Sequence, residues 1–191
     1  YHKIESRYYW QGMYLFIKTY VLSCDVCQKS KYNRQGKQGQ LCSEVDNVVH
    51  GKIYLDIVGR LPRSNGFEHI LIVVDAATRF VRLYSLRKLN SRSICDILYK
   101  LFCDTGFVSE ICLDNASYFV SYAFKSFCAN LGIRLIRISP YTASSNVAER
   151  YIGCLKQGLR AYCSSDNSKW SFLLNEIQFN LNASCHEFLQ D

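Results

Sequence analysis

No stretch of this 191-residue sequence approaches the ~20 consecutive apolar residues that a membrane-spanning helix requires, which excludes a helical membrane protein. The start carries neither an initiating Met nor a charged-then-apolar leader, so no signal peptide is read. With the abrupt end at Asp191, this points to a piece of something longer. Cysteine is too sparse for a disulfide scaffold: ten in 191 residues is below the ~8–10% of such frameworks. The cysteines fall in apolar stretches (Cys95, Cys103, Cys112, Cys128, Cys154), as reduced core thiols do, which implies an intracellular, reducing compartment. The Asn-x-Ser sequons at Asn115 and Asn182 then carry no weight. There is no internal repeat. Nor is there a phosphate-cradling loop, because Gly36-Lys37-Gln38-Gly39 lacks the spacing of a P-loop.

What is present is basic charge, unevenly placed. The net charge is +7. Residues 1–40 hold Lys3, Arg7, Lys18, Lys29, Lys31, Arg34 and Lys37 against Glu5 and Asp25. Residues 134–160 hold Arg134, Arg137, Arg150, Lys156 and Arg160 against Glu149 alone, whereas 41–75 is acidic. Two basic patches beside an acidic one suit a polyanion binder that also holds cations; a solvated surface is the plain alternative.

The first 32 residues are aromatic-rich, with Tyr9, Met13, Phe16, Ile17 and Tyr20 at helical spacing. A polar, glycine-containing segment at 33–40 reads as a linker to a second unit at 41–191. There the pattern becomes α/β. Lys52–Gly59 alternates, with Ile53, Leu55 and Ile57 on one face and Tyr54, Asp56 and Val58 on the other. Ile70–Val74 is a continuous apolar run and Phe80–Leu86 alternates again, so these three strands predict an antiparallel meander. Helix spacing follows from Ser93, which with Asp96 resembles a capping box, then a strand at 108–113 and a helix from Val120 to Leu131 stopped by Gly132. A fifth strand at 133–138, a loop at 141–145, a helix through Tyr151, Leu155, Leu159 and Tyr162, and a last helix capped by Ser168 complete the pattern. The predicted fold is a mixed five-stranded sheet flanked by helices.

Three acids stand where this pattern needs none. Asp56 interrupts an apolar strand, Asp114 follows directly on another, and Glu149 opens a helix. Strand ends and a helix start can converge, and clustered carboxylates repel one another unless cations neutralise them; hard oxygen ligands suit Mg²⁺ or Mn²⁺. Two such ions serve phosphoryl chemistry. Each acid also has a structural reading. Asp56 can be an edge-strand solubility charge, Asp114 with Asn115 an Asx turn, and Glu149 the third helical residue of a capping box begun by Asn146. Asp75, ending the second strand, reads as structural.

The words around these residues are recognisable. Tyr8-Tyr9-Trp10-Gln11-Gly12-Met13 and Cys24-Asp25-Val26-Cys27-Gln28 resemble the zinc-binding segment that precedes retroviral and gypsy-type retrotransposon integrases. Leu55-Asp56-Ile57-Val58-Gly59, Leu61-Pro62, Val74-Asp75 with Thr78-Arg79-Phe80, Leu113-Asp114-Asn115, Ser139-Pro140-Tyr141, Ser145-Asn146, Glu149-Arg150 and Leu155-Lys156 resemble their catalytic core, in collinear order. The resemblance implies an RNase H-like fold preceded by a small helical zinc-binding segment at 1–32. It further implies that Asp56, Asp114 and Glu149 are the catalytic, two-metal triad of a polynucleotidyl transferase that trims DNA ends and joins them to a target. Lys156 lies seven residues after Glu149, about two helical turns, with Arg160 continuing the stripe. By the resemblance both would meet DNA phosphates, and Tyr141 and Asn146 would touch the strand being cut. Cys24 and Cys27 are half a zinc site; the histidines that complete it in the family would lie upstream of Tyr1, so Zn²⁺ is expected only in the full-length protein. His2 has the wrong spacing for that role, and His50, His69 and His186 read as ordinary surface or strand residues. Homo-oligomerisation and a nuclear location are implied as well, with no membrane partner.

The sequence departs from the family at Ala116, where glycine is usual, in the loop Tyr141-Thr142-Ala143-Ser144, and by a missing glycine after Asn146. These departures carry a second reading: a domesticated relative that keeps the fold for DNA or protein binding with impaired or no catalysis.

Overall fold

The computed structural model describes residues 1–26, 48–138, 145–163 and 166–183, with the side chains of His2, Lys3, 145–149 and Asn167 outside that description. The expected linker at 33–40 therefore lies outside the described residues, as do Cys27 and Tyr141.

Five strands form one sheet: β1 (Lys52–Val58), β2 (His69–Asp75), β3 (Val81–Leu86), β4 (Glu110–Leu113) and β5 (Arg134–Arg137), in the order β3-β2-β1-β4-β5. The first three make the expected antiparallel meander, while β4 and β5 add in parallel behind helical crossovers. Strand β1 is thus the central strand. Its alternation sorts side chains to two cores. Ile53 and Leu55 face one side with Leu71, Val73 and the helices α3 (Ser91–Thr105), α4 (Ser117–Val120) and α5 (Tyr122–Asn130). Tyr54 and Val58 face the other, with Ile70, Ile72, Val74 and the helices α6 (Ser145–Tyr162) and α7 (Leu174–Asn182). β2 is buried on both faces, which explains its unbroken apolar run.

Several helix boundaries differ from the sequence pattern. Helix α3 is capped by Asn90, whose side chain accepts the Ser93 N–H, so Ser93 lies inside the helix. The single helix expected from Val120 is broken at Ser121, an extended residue whose hydroxyl accepts the Phe124 N–H and starts α5 afresh. A serine that can satisfy an orphan N–H competes with helix continuation there. Gly132 ends this element as expected, at φ +69°, which a side chain would strain. Ser168 caps nothing: Asp166 caps a 3₁₀ turn at Asn167–Lys169, and α7 begins only at Leu174.

In the N-terminal segment, helices α1 (His2–Glu5) and α2 (Met13–Leu22) bear out the helical reading. Only Met13 and Ile17 of the expected apolar stripe are buried; Phe16 and Tyr20 are exposed, and Tyr9 is 90% exposed. Tyr9 precedes the left-handed Gly12 that caps α2, so it is out of phase with the helix.

Helix α7 does more than fill the core. Gln178 and Asn182, four residues apart on one face, hydrogen-bond the outer edge of β3: Leu83 N–H donates to Gln178 Oε1 at 2.7 Å, Val81 N–H donates to Asn182 Oδ1 at 2.7 Å, and Asn182 Nδ2 donates to the Val81 carbonyl at 2.8 Å. Side-chain amides replace the neighbouring strand that β3 lacks and blunt an edge open to aggregation. The opposite edge, β5, is only four residues long and carries exposed Arg134 and Arg137 at its ends.

Candidate active site

Asp56 occupies the centre of the sheet rather than its edge, so the solubility-charge reading fails on topology. It shares parity with Tyr54 and Val58, which places it on the α6 face. Its Oδ1 accepts the Ile57 N–H at 2.6 Å. Strands β1 and β4 pair in parallel with Ile53 opposite Ile111 and Tyr54 opposite Cys112. Continued for two residues, that register sets Asp56 beside Asp114, on strands about 4.8 Å apart. Cys112, two residues before Asp114, packs in the α6-side core, so both carboxylates belong to the same face.

Tyr118 lies within electrostatic reach of both acids. Its hydroxyl is pushed up to about 12, first by burial and then by the carboxylates of Asp114 and Asp56. Both carboxylates are thus near enough to disfavour its ionisation. Sequence reasoning missed Tyr118, because at helical spacing a tyrosine next to Phe119 reads as core. The signal it offers is distance from Asp114: four residues, within the turn and short helix that follow β4.

Asp114 does form the Asx turn: its Oδ1 accepts the Ala116 N–H at 3.0 Å. That bond orients the carboxylate, which remains exposed, so the turn and a ligand role are compatible. Ala116 sits at φ −63°, ψ 145°, ordinary extended backbone that any residue adopts. The substitution of glycine there therefore costs no backbone strain.

Glu149 lies in the first turns of α6, whose backbone is described from Ser145, while the side chains of Glu149 and Asn146 lie outside the described residues. Asn146 stands inside the helix rather than before it. Further along, Tyr151, Leu155 and Leu159 are buried against the sheet, and the Tyr151 hydroxyl donates to the Arg79 carbonyl at 3.0 Å, which ties α6 to the β2–β3 turn. Lys156 and Arg160 lie on an adjacent, exposed stripe. At 100° per residue, positions 156 and 160 fall within about 20° of position 149 around the helix. Arg137, at the end of β5 opposite Leu113, adds an exposed cation at the end of the strand that leads into Asp114.

Asp75 is structural, as expected. It is 4% exposed and accepts from His50 N–H, Thr78 N–H and the Thr78 hydroxyl at 2.6–3.0 Å, closing the turn between β2 and β3.

The donor chemistry fits a hard divalent cation. Two carboxylates set side by side, as the continued β1–β4 register sets Asp56 and Asp114, are stabilised by an ion between them. Among the described residues no group of three His, Cys, Asp or Glu side chains comes together. Cys24 is described and half-exposed. Among the described cysteines, the Cys128 thiol is pushed up to about 12, chiefly by burial. Among the described residues no helix is long and apolar enough to cross a membrane.

Comparison with known proteins places these features in a family. The model described as integrase core domain matches residues 46–143, and the model described as integrase zinc binding domain matches residues 1–33. The Pro-Pol polyprotein of feline foamy virus is 31% identical over 189 residues, spanning 94% of this chain and 16% of the polyprotein. Gypsy retrotransposon integrase-like protein 1 of Pongo abelii is 23% identical over 182 residues, spanning 95% of this chain and 35% of that protein. The chain thus spans well under half the length of these curated relatives. Among solved structures, the simian T-cell lymphotropic virus intasome in complex with PP2A regulatory subunit B56 gamma superposes with TM-score 0.61 at 21% identity, over 91% of this chain and 68% of that one. The HTLV-2 integrase catalytic core domain in complex with magnesium, in a dimeric form, gives TM-score 0.58 at 18% identity over 72% and 90%. These likenesses establish the fold as RNase H-like, as the sequence words implied.

Proposed function

The chain belongs to the integrase family, its core and zinc-binding models together matching most of its length, and from that premise we propose that it is an integrase-type polynucleotidyl transferase acting on DNA. The observation that carries the reading is the parallel β1–β4 register, with Tyr54 opposite Cys112, which continued for two residues brings Asp56 on the central strand level with Asp114 just past its neighbour. Asp56 and Asp114 would hold divalent metal on the sheet side and Glu149 from the α6 side. Two Mg²⁺ or Mn²⁺ ions bound there would supply Lewis-acid activation of the attacking oxygen and neutralisation of the leaving one. In end processing, a water oxygen bonds to phosphorus and a 3′-hydroxyl is released on the element end. In strand transfer that 3′-hydroxyl bonds to a target phosphorus and the target 3′-oxygen leaves. Lys156 and Arg160 hold the backbone phosphates alongside, with Tyr141 and Asn146 at the cut strand. We place the zinc-binding segment at 1–32, the linker at 33–40 and the catalytic core at 41–191, with Cys24 and Cys27 contributing half of a zinc site. The protein would work as a homo-oligomer on element ends and target DNA in the nucleus; a dimeric solved neighbour supports self-association.

A second reading is favoured by the loop at 141–144, which departs from the family pattern: the fold would bind DNA or protein without catalysis. One experiment separates the two. Oligonucleotide strand transfer in Mn²⁺ should yield joined product with the parent protein and none with Glu149→Gln. A folded, DNA-binding parent that joins nothing in either metal overturns the catalytic reading.

The phosphate role of the α6 stripe has its own measure. Lys156→Ala should weaken duplex binding independently of sequence and reduce the slope of log K against log salt by roughly 1. An unchanged slope returns Lys156 to a solvated surface.

A further inference from the structure

Where β1 ends, a groove of about 360 Å³ opens between the departing chain at 58–62 and helix α6. Its floor is apolar: Val58, Leu159, Cys163 and Trp170 are each less than a tenth exposed. Its rim is cationic, with exposed Arg60 on one wall and exposed Lys156 and Arg160 on the other. Among the described residues no acidic side chain lines it. The outer wall is held in place. Trp170 Nε1 donates to the Pro62 carbonyl at 2.6 Å, and Ser64 and Ser171 bond hydroxyl to hydroxyl at 2.8 Å. The His69 ring fills the space behind Gly59, where an added Cβ would approach its Nδ1 to 2.2 Å. The groove is therefore pre-formed, as a ligand seat should be.

A track for duplex backbone needs cations and no apolar floor, because phosphates face out and bases stay stacked. An apolar floor beneath three cations instead matches one unpaired nucleotide, base down and phosphate at the rim. Val58 lies two residues beyond Asp56 on the same strand and on the same face, about 6.7 Å along it. A nucleotide in the groove is thus the near neighbour of a phosphodiester at Asp56.

We propose that this groove, with Arg60 as its outer cation, seats a single unpaired nucleotide of the DNA end adjacent to the strand being processed. The proposal rests on DNA being the substrate and adds a subsite that neither the acidic site nor the α6 stripe requires. The test uses the whole chain and three fluorescent duplexes: blunt, with a one-nucleotide overhang, and with an abasic overhang of equal charge. The parent should bind the overhang duplex about fivefold or more tightly than the abasic one. Arg60→Ala, at an exposed position, should weaken base-bearing and abasic overhang duplexes alike, by about threefold or more, while changing blunt-duplex affinity less. Equal binding of base-bearing and abasic overhangs by the parent overturns the nucleotide seat and leaves DNA binding standing. An Arg60→Ala protein that binds overhang and blunt duplexes with the parent's ratio overturns the role of Arg60. Failure to bind any duplex overturns the DNA reading itself.

Discussion

Asp56→Asn is expected to abolish strand transfer, by about 10³-fold or more, while the protein stays folded; Asp75→Asn is expected to do the reverse. The two aspartates stand at opposite ends of the meander's first two strands and differ in what they hold. Asp56 lies half-buried on the α6 face beside Asp114, where its charge would offset divalent metal. Neutral Asn removes that charge with almost no change of shape. Asp75 is instead a buried acceptor for three donors from His50 and Thr78. In Asp75→Asn one oxygen becomes an NH₂ group facing a donor. Hydrogen bonds to a charged, buried acceptor are worth about 1.5–3 kcal/mol each, so a net loss of about 2–4 kcal/mol follows. For a domain of this size that lowers Tm by roughly 4–16 °C. The measurements are thermal melts with and without saturating Mn²⁺, beside a strand-transfer assay. Metal at 100 times its Kd should stabilise the parent by about 2.7 kcal/mol and Asp75→Asn by the same amount, and Asp56→Asn not at all. Equal metal stabilisation of all three proteins would mean that Asp56 is not a ligand.

The same contrast shows what could be read from residues in order. Alternation in Lys52–Val58 assigned each side chain its face correctly because β1 is central and both faces are buried, so a misplaced residue stands out. That is why Asp56 was visible at all: a charge in that register needs a partner. Asp114 was legible for a related reason, being the first polar residue after a buried strand. Tyr118 and Arg60 were not legible. Each acquires its surroundings from a chain segment far away in sequence, Asp56 for Tyr118 and α6 for Arg60. Helix ends failed where two capping residues stood close together. Asn90 outcompeted Ser93 by offering a side-chain acceptor one turn earlier, and Asp166 caps a 3₁₀ turn that takes in Ser168 before α7 begins. Nor could periodicity foresee that Gln178 and Asn182 face a strand edge, since two amides four residues apart look like a solvated helix face.

Trp170→Ala should be the most destabilising single change near the site, at about 3–5 kcal/mol, and Trp170→Phe should cost about 1–2 kcal/mol. Trp170 is 2% exposed and packs in the core with Leu159, Leu174 and Ile177. Truncation to alanine leaves a cavity in that layer. Phenylalanine keeps most of the apolar contact but strands the Pro62 carbonyl, which the indole N–H now satisfies at 2.6 Å. The two variants therefore separate packing from the tie that holds the 59–64 segment against α7's approach. If that tie shapes the groove, Trp170→Phe should lose preference for a base-bearing overhang out of proportion to its small stability loss, while blunt-duplex binding through Lys156 stays near that of the parent. Urea unfolding gives the stabilities, and the three-duplex binding series gives the preference. A Trp170→Phe protein with parental stability and parental base preference would show that the hydrogen bond to Pro62 holds neither the fold nor the groove, and the rigidity of that wall would then rest on the Ser64–Ser171 pair, the Leu61 N–H bond to the Glu68 carbonyl and the His69 ring behind Gly59.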